Sequence, residues 1–200
     1  MKTIRLFLPV FALLLLACNA LSQPLSFLIT PTPTLRPTQP ANLSLDCPDI
    51  HPSQKEIDFG SQYKDEIFEE PDWKSSYTVM DYRVRKTWEN KALDAVVNMD
   101  HIIFCGATDA SLDDYYTVGN FNLIFQNYVS YEHQQDCRDG NMRLYELKVN
   151  YQGTDYNARF WVELVDGDHT RETLVVFPIA DVKNFDSYSE KLMPELPSCQ

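Results

Sequence analysis

Hydrophobic and polar residues alternate with a period of two along much of the second half of the chain. This period is typical of half-buried β-strands, whose side chains point to opposite faces in turn. The segments that show it are 82–88, 97–105, 145–151 and 156–164. Segment 174–177 is apolar at every position, like a central strand, and Pro178 ends it. The pattern predicts an antiparallel sheet of five or more strands.

One main helix is predicted to begin at Ser111. Ser111-Leu112-Asp113-Asp114 resembles a capping box with aspartate at the position that Glu or Gln usually takes. An apolar stripe continues from it towards Phe125, and a late helical stretch is expected over 185–192. Segment 47–74 is acidic and weakly periodic, which fits irregular structure or a short helix. The chain is therefore an α+β domain, and its architecture resembles the cystatin-like and NTF2-like rolls, although no motif supports either family.

The N-terminus has the three parts of a secretory signal. Lys2 and Arg5 form a positive region, and an apolar run of about eleven residues follows, too short for the roughly 20 that span a bilayer. Leu15-Leu16-Ala17-Cys18 resembles the lipobox of bacterial lipoproteins. That resemblance covers residues 1–18 alone and implies that Cys18 is lipidated and becomes the mature N-terminus. The alternative is ordinary secretion, with cleavage after Ala20.

A tether is predicted over residues 18–45. Its centre is Thr30-Pro31-Thr32-Pro33-Thr34-Leu35-Arg36-Pro37-Thr38-Gln39-Pro40, and proline both fixes φ and removes a hydrogen-bond donor. Such a segment favours polyproline II, so about 25 residues at roughly 3.1 Å each would span up to roughly 75 Å. The domain organisation is then a signal peptide over 1–17, this tether, and one extracytoplasmic domain over 46–200.

The charge of the chain excludes some partners. The net charge is −12, and removal of Lys2 and Arg5 with the signal makes it −14. Phosphates of nucleic acid would be repelled, so we expect no nucleic-acid partner. Anionic lipid would be repelled as well, so the lipid anchor is the expected membrane contact, at the cell membrane or the outer membrane.

Four cysteines follow Cys18, namely Cys47, Cys105, Cys137 and Cys199. An even number in an exported domain favours two disulfides. Three pairings are possible, and we expect Cys105–Cys137 across the ends of the helical region and Cys47–Cys199 between the ends of the domain. No cysteine or histidine pair has the spacing of a zinc site, so we expect no metal and no other cofactor.

The candidate site residues each have a structural alternative. His101 lies on the apolar face of a strand, where a buried neutral histidine is the default and a catalytic or ligand role the alternative. His51, His133 and His169 fall in separate loops or edges. The acidic run around Asp65 and the Asp166-Gly167-Asp168 turn are explained by a solvated surface and a hairpin.

Trp161 is the candidate platform for a ligand. The alternation points its ring away from the apolar neighbours Phe160 and Val162 and towards the side of Arg159 and Glu163. An exposed Trp offers a flat surface to a sugar, peptide or protein, and the alternative is that another segment covers it.

No catalytic motif is present, since the chain has neither a G-x-S-x-G elbow nor a glycine-rich phosphate loop. We therefore expect a lipid-anchored binding domain, whose partner is an envelope protein or a small molecule, rather than an enzyme. The alternative is an envelope hydrolase that uses carboxylates or His101 in the cavity of a curved sheet.

Overall fold

A computed structural model of the protein describes residues 51–200. These residues all fall within one compact unit. Cys18, the predicted tether over 18–45 and Cys47 lie outside the described residues.

The described chain forms a seven-stranded antiparallel sheet. The strands are β1 (Trp73–Met80), β2 (Arg83–Asn90), β3 (Ala95–Ile103), β4 (Ser130–Asp139), β5 (Met142–Tyr151), β6 (Thr154–Leu164) and β7 (His169–Pro178). Their order across the sheet is β1-β2-β3-β7-β6-β5-β4, so β7 lies between β3 and β6 and both edge strands are joined to their neighbours by hairpins. The α+β class and the antiparallel sheet of five or more strands are confirmed.

The helices are short. They are α1 (Gln54–Gln62), α2 (Asp109–Tyr115), α3 (Phe121–Ile124) and α4 (Val182–Leu192), with 3₁₀ turns at Asp65–Ile67 and Val118–Asn120. Within residues 51–200, no helix is both long enough and apolar enough to cross a bilayer.

The helix predicted from Ser111 begins earlier and is interrupted. Thr108 is its N-cap and accepts a hydrogen bond from the backbone N–H of Ser111, while the Ser111 hydroxyl accepts one from the N–H of Thr108. Ser111 is therefore the third residue of α2 rather than its cap. A 3₁₀ turn then separates α2 from α3, so the apolar stripe that predicted one helix runs over three short elements. The late helix predicted over 185–192 is part of α4.

Strands β1 and β4 had no periodic signal because they are the edges of the sheet. Residues 74–79 of β1 are exposed on both faces, and most of β4 is exposed or half-buried. A strand without a buried face does not need alternating hydrophobic residues.

Helical segments cover both faces of the sheet. The first face carries Trp88, Val97 and Trp161 and packs against α4 and the segment before β1. The second face carries Leu147 and Phe160 and packs against α2 and α3. Side chains on the first face at the end of the sheet near the β6–β7 turn form the candidate site.

Candidate functional site

The candidate site contains two histidines from the sheet and one carboxylate from α1. His101 belongs to β3 and His169 is the first residue of β7. The β3–β7 register places Ile103 opposite His169 and His101 opposite Arg171, so both histidines lie on the first face. Helix α1 crosses this face and brings Glu56 to them. One ligand atom from each of Glu56, His101 and His169 lies within 4.8 Å of the other two, and we call these three residues the His–Glu cluster.

Glu56 is positioned by a capping box at the start of α1. The backbone N–H of Ser53 donates to Glu56 Oε2 at 2.6 Å, and the Ser53 hydroxyl accepts from the N–H of Glu56 at 3.4 Å. This leaves Glu56 Oε1 to face His169 Nε2 at 2.7 Å. Burial by itself would raise the pKa of Glu56, but the hydrogen bonds from Ser53 and His169 outweigh it and lower that pKa. Glu56 is thus an ionised carboxylate with one oxygen fixed by the helix.

His169 has a carboxylate at each ring nitrogen. Nδ1 lies 2.9 Å from Asp166 Oδ1, and Nε2 lies 2.7 Å from Glu56 Oε1. Asp166 is held in turn by the backbone N–H of Asp168, which donates to Asp166 Oδ1 at 2.8 Å. Burial would lower the pKa of His169, but the two carboxylates raise it above its ordinary value. The β6–β7 turn therefore orients this imidazole, which bridges two acidic groups.

His101 is the buried member of the cluster, with 8% of its surface exposed. Its ring stacks on that of His169, with centroids 5.2 Å apart, and meets Phe59 edge-on at 5.3 Å. Among residues 51–200, its Nδ1 atom has no hydrogen-bond partner. Burial is the largest cause that lowers the pKa of His101, and the positive charges of His169 and Arg171 lower it further, to about 4. His101 is therefore neutral at neutral pH, and one of its ring nitrogens carries a lone pair.

Arg171 seats the end of α1 next to the cluster. Its guanidinium lies 5.2 Å from the ring centroid of Phe59 and 4.6 Å from that of Tyr63. Glu163 on β6 accepts a hydrogen bond from Arg171 Nη1 at 2.6 Å. A partly buried cation under two aromatic rings stabilises the docked helix. Helix α1 is therefore fixed at its start by the capping box and near its end by Arg171, and this keeps Glu56 in position.

The cluster offers the kinds of ligand atom that transition metals bind. Neutral imidazole nitrogens and carboxylate oxygens are common ligands of Zn²⁺ and related ions. The residues that could hold such an ion are Glu56, His101 and His169, with Asp166 behind His169.

A second group of charged residues is buried on the opposite face. Arg83 and Arg85 both contact Asp100, at 3.3 and 2.7 Å, and Tyr116 donates to Glu172 at 2.7 Å. Burial would raise the pKa of Asp100, but the two arginines lower it, whereas burial raises the pKa of Glu172. These charges neutralise one another within the packed second face, which is the arrangement of a structural ion-pair network.

The prediction that Trp161 is a ligand platform is wrong. Its ring is on the opposite face from Phe160, as the alternation indicates, but it is 0% exposed. The segment after α4 covers it, and its indole N–H donates to the carbonyl oxygen of Leu196 at 2.8 Å. Trp161 belongs to the core of the first face.

Both predicted disulfide pairings are wrong. Cys137 is bonded to Cys199, with Cα atoms 5.6 Å apart, so neither can pair with Cys105 or Cys47. The prediction assumed a helical region between Cys105 and Cys137, but Cys137 lies on edge strand β4, where the C-terminal segment meets it. Cys105 is also disulfide-bonded, and Cys47 lies outside the described residues. A disulfide-braced domain is confirmed.

The remaining acidic and histidine candidates are distributed over the surface and the core. His133 is half-buried on β4, 3.0 Å from Asp136. Asp65, from the acidic run, accepts hydrogen bonds from Lys86 and from the indole of Trp88, and so fixes the 3₁₀ turn to the sheet. That part of the run is structural rather than a solvated surface.

Sequence reasoning placed His101 but missed its partners. Ser53-Gln54-Lys55-Glu56 is a capping-box sequence that predicts a helix start and thus the position of Glu56. The meeting of His101 with His169 had no local signal, because β3 and β7 are separated by three other strands along the chain.

Comparisons with known proteins add little to these observations. No protein-family model matches the chain, and no curated protein matches it significantly. Among solved structures, the chain is similar to a Pseudomonas aeruginosa protein of unknown function that is described as a candidate regulator. The similarity has a TM-score of 0.39 and 12% identity, and it covers 66% of this chain and 88% of that one. At this TM-score it carries no argument about function.

Proposed function

We propose that the protein is held at the cell envelope by a lipid on Cys18 and presents a disulfide-braced binding domain at the end of a tether. The His–Glu cluster is its binding site. The observation that carries the binding role is that Glu56, His101 and His169 each bring one ligand atom to within 4.8 Å of the other two. The buried His101 also has no hydrogen-bond partner for its Nδ1 within residues 51–200. A buried polar atom without a partner is costly in a folded protein, and a ligand that pairs with it removes that cost.

Several features support the location at the envelope. The lipobox-like sequence ends at Cys18, and the three cysteines of the described chain are all in disulfides. Disulfides persist in exported compartments and are rare in the cytosol. A lipid anchor agrees with the acidic chain, because electrostatic attraction to anionic lipid is not available to it.

The geometry supports binding over metal-free acid–base catalysis. A general base works best with a pKa near the working pH, and the pKa of His101 is lowered to about 4. Both nitrogens of His169 face carboxylates at hydrogen-bonding distance. Neither imidazole is placed to exchange protons with a substrate at neutral pH, so an envelope hydrolase that works by metal-free acid–base catalysis at this cluster is the weaker proposal.

The anchoring proposal is tested by membrane fractionation of cells that make the Cys18→Ala protein. We expect the unmodified protein in the membrane fraction and the variant in the soluble extracytoplasmic fraction, because stable attachment requires the acyl chains. Ala20→Ser is the matched control, since it alters the competing cleavage position but keeps Cys18. A Cys18→Ala protein that stays on the membrane would contradict the lipid anchor.

A further inference from the structure

We propose that Glu56, His101 and His169 bind a divalent transition-metal ion of the zinc type. The ion joins α1 to strands β3 and β7. This inference depends on the proposed function in one respect, which is that both use the His–Glu cluster as the binding site.

The ligand set argues for a transition metal rather than for Ca²⁺ or Mg²⁺. Those hard cations take six or more oxygen ligands or keep several waters, whereas Zn²⁺ accepts two imidazoles and a carboxylate. The cluster supplies two nitrogens and one oxygen. Glu56 supplies a single oxygen, because its Oε2 is already held by the backbone N–H of Ser53.

Asp166 lies where a metal-bound histidine usually has a carboxylate partner, at the ring nitrogen of His169 that faces away from Glu56. A histidine that ligates a metal through one nitrogen commonly donates its other N–H to a carboxylate, which fixes the ring and raises its basicity. His169 Nδ1 lies 2.9 Å from Asp166 Oδ1, while Nε2 faces Glu56. The ion takes the place of the proton between His169 Nε2 and Glu56 Oε1.

The distances require small movements of side chains only. Zn–ligand bonds of about 2.0–2.1 Å in a tetrahedron place the ligand atoms about 3.3 Å apart. His169 Nε2 and Glu56 Oε1 are 2.7 Å apart, and the largest separation within the cluster is at most 4.8 Å. To bind zinc, His169 Nε2 and Glu56 Oε1 must move apart by about 0.6 Å, and the two ligand atoms that are farthest apart must approach by up to about 1.5 Å. Rotation of the side chains provides movements of this size.

The unequal exposure of the three ligands indicates the side from which an ion reaches the cluster. His101 is buried, whereas the side chains of Glu56 and His169 are 20% and 25% exposed. An ion therefore reaches the cluster from the side of the exposed ligands. Three protein ligands leave a fourth tetrahedral position on that side, which water can fill.

The first test follows the imidazole nitrogens of all four histidines by NMR while Zn²⁺ is added to the full-length protein in detergent. We expect one equivalent of Zn²⁺ to shift the resonances of His101 and His169 and to leave those of His51 and His133 in place. This measurement uses the unmodified protein, so it does not depend on whether a variant folds. Zinc that shifts neither His101 nor His169 would overturn the proposal.

The second test measures the zinc affinity of matched variants by calorimetry. Asp166→Asn removes the carboxylate that pairs with His169 Nδ1 and should weaken zinc binding by about tenfold or more. His169→Ala should weaken zinc binding further. Asp168→Asn is the control, because it removes the same charge from the same turn, and His133→Ala is the control for a histidine near a carboxylate. Equal affinities for all four variants and the unmodified protein would overturn the proposal.

The two proposals fail in different ways. If Cys18→Ala stays on the membrane while zinc still shifts His101 and His169, the lipid anchor is wrong and the metal site stands. If Cys18→Ala is released and zinc leaves both histidines unshifted, the metal site is wrong and the anchor stands.

Discussion

Replacement of Gly60 by alanine tests how closely α1 is seated on the sheet. Gly60 is buried in α1, and a Cβ atom built there would lie 2.8 Å from Val84 Cγ1 and 2.9 Å from Val84 Cβ. Real Cβ contacts essentially never fall below 3.0 Å, so one of the two elements must shift. Val84 is fully buried in β2, between β1 and β3, and cannot easily yield.

Two opposing terms decide the size of the effect. Alanine is favoured over glycine within a helix by about 1 kcal/mol. Inserting a methyl group into a packed contact costs about 1–3 kcal/mol. The sum predicts that Gly60→Ala lowers the free energy of unfolding by about 1 kcal/mol, where helix propensity alone would raise it by the same amount.

Chemical denaturation of the disulfide-intact protein measures this difference. Gln62→Ala is the control in the same helix, because Gln62 is exposed and the change should stay within about 0.5 kcal/mol. A gain of about 1 kcal/mol for Gly60→Ala would refute the reasoning, since it would mean that α1 is not in close contact with Val84.

Two further predictions concern Trp161 and His101. Trp161→Ala should lower the free energy of unfolding by about 3–5 kcal/mol, because it empties a fully buried site. Tyr77→Ala, on the exposed edge strand, is the control and should change the free energy of unfolding little in the same denaturation assay. Equal losses for the two variants would contradict the burial of Trp161. In an NMR titration without metal, His101 should stay neutral down to a pH of about 4. His169 should lose its proton at a higher pH than an ordinary histidine does, because its pKa is raised. Because the pKa of His101 is lower in the folded protein, the free energy of unfolding should decrease as the pH falls from about 6.5 towards about 4. In that window the unfolded chain binds a proton at this histidine and the folded protein does not. A His101 that titrates near 6.5 would contradict its burial.

The sequence by itself determined the class of the fold and the positions of the inner strands. Strands β2, β3, β5 and β6 each have a buried face, so the period of two is present in the residues themselves. The β6–β7 turn is equally local, because Asp166-Gly167-Asp168 reverses the chain with its own side-chain hydrogen bond. Such features depend on residues that are close neighbours in the chain.

Only the tertiary structure decided what lies against each face and each cysteine. The alternation placed Trp161 correctly on one face, but the segment after α4 covers that face, so the ring is core rather than surface. Cys137 meets Cys199 because the C-terminus returns to edge strand β4. His101 and His169 become neighbours through the β3–β7 pairing. Each of these contacts joins segments far apart along the chain, and the free energy that selects it comes from packing the whole domain rather than from any local pattern.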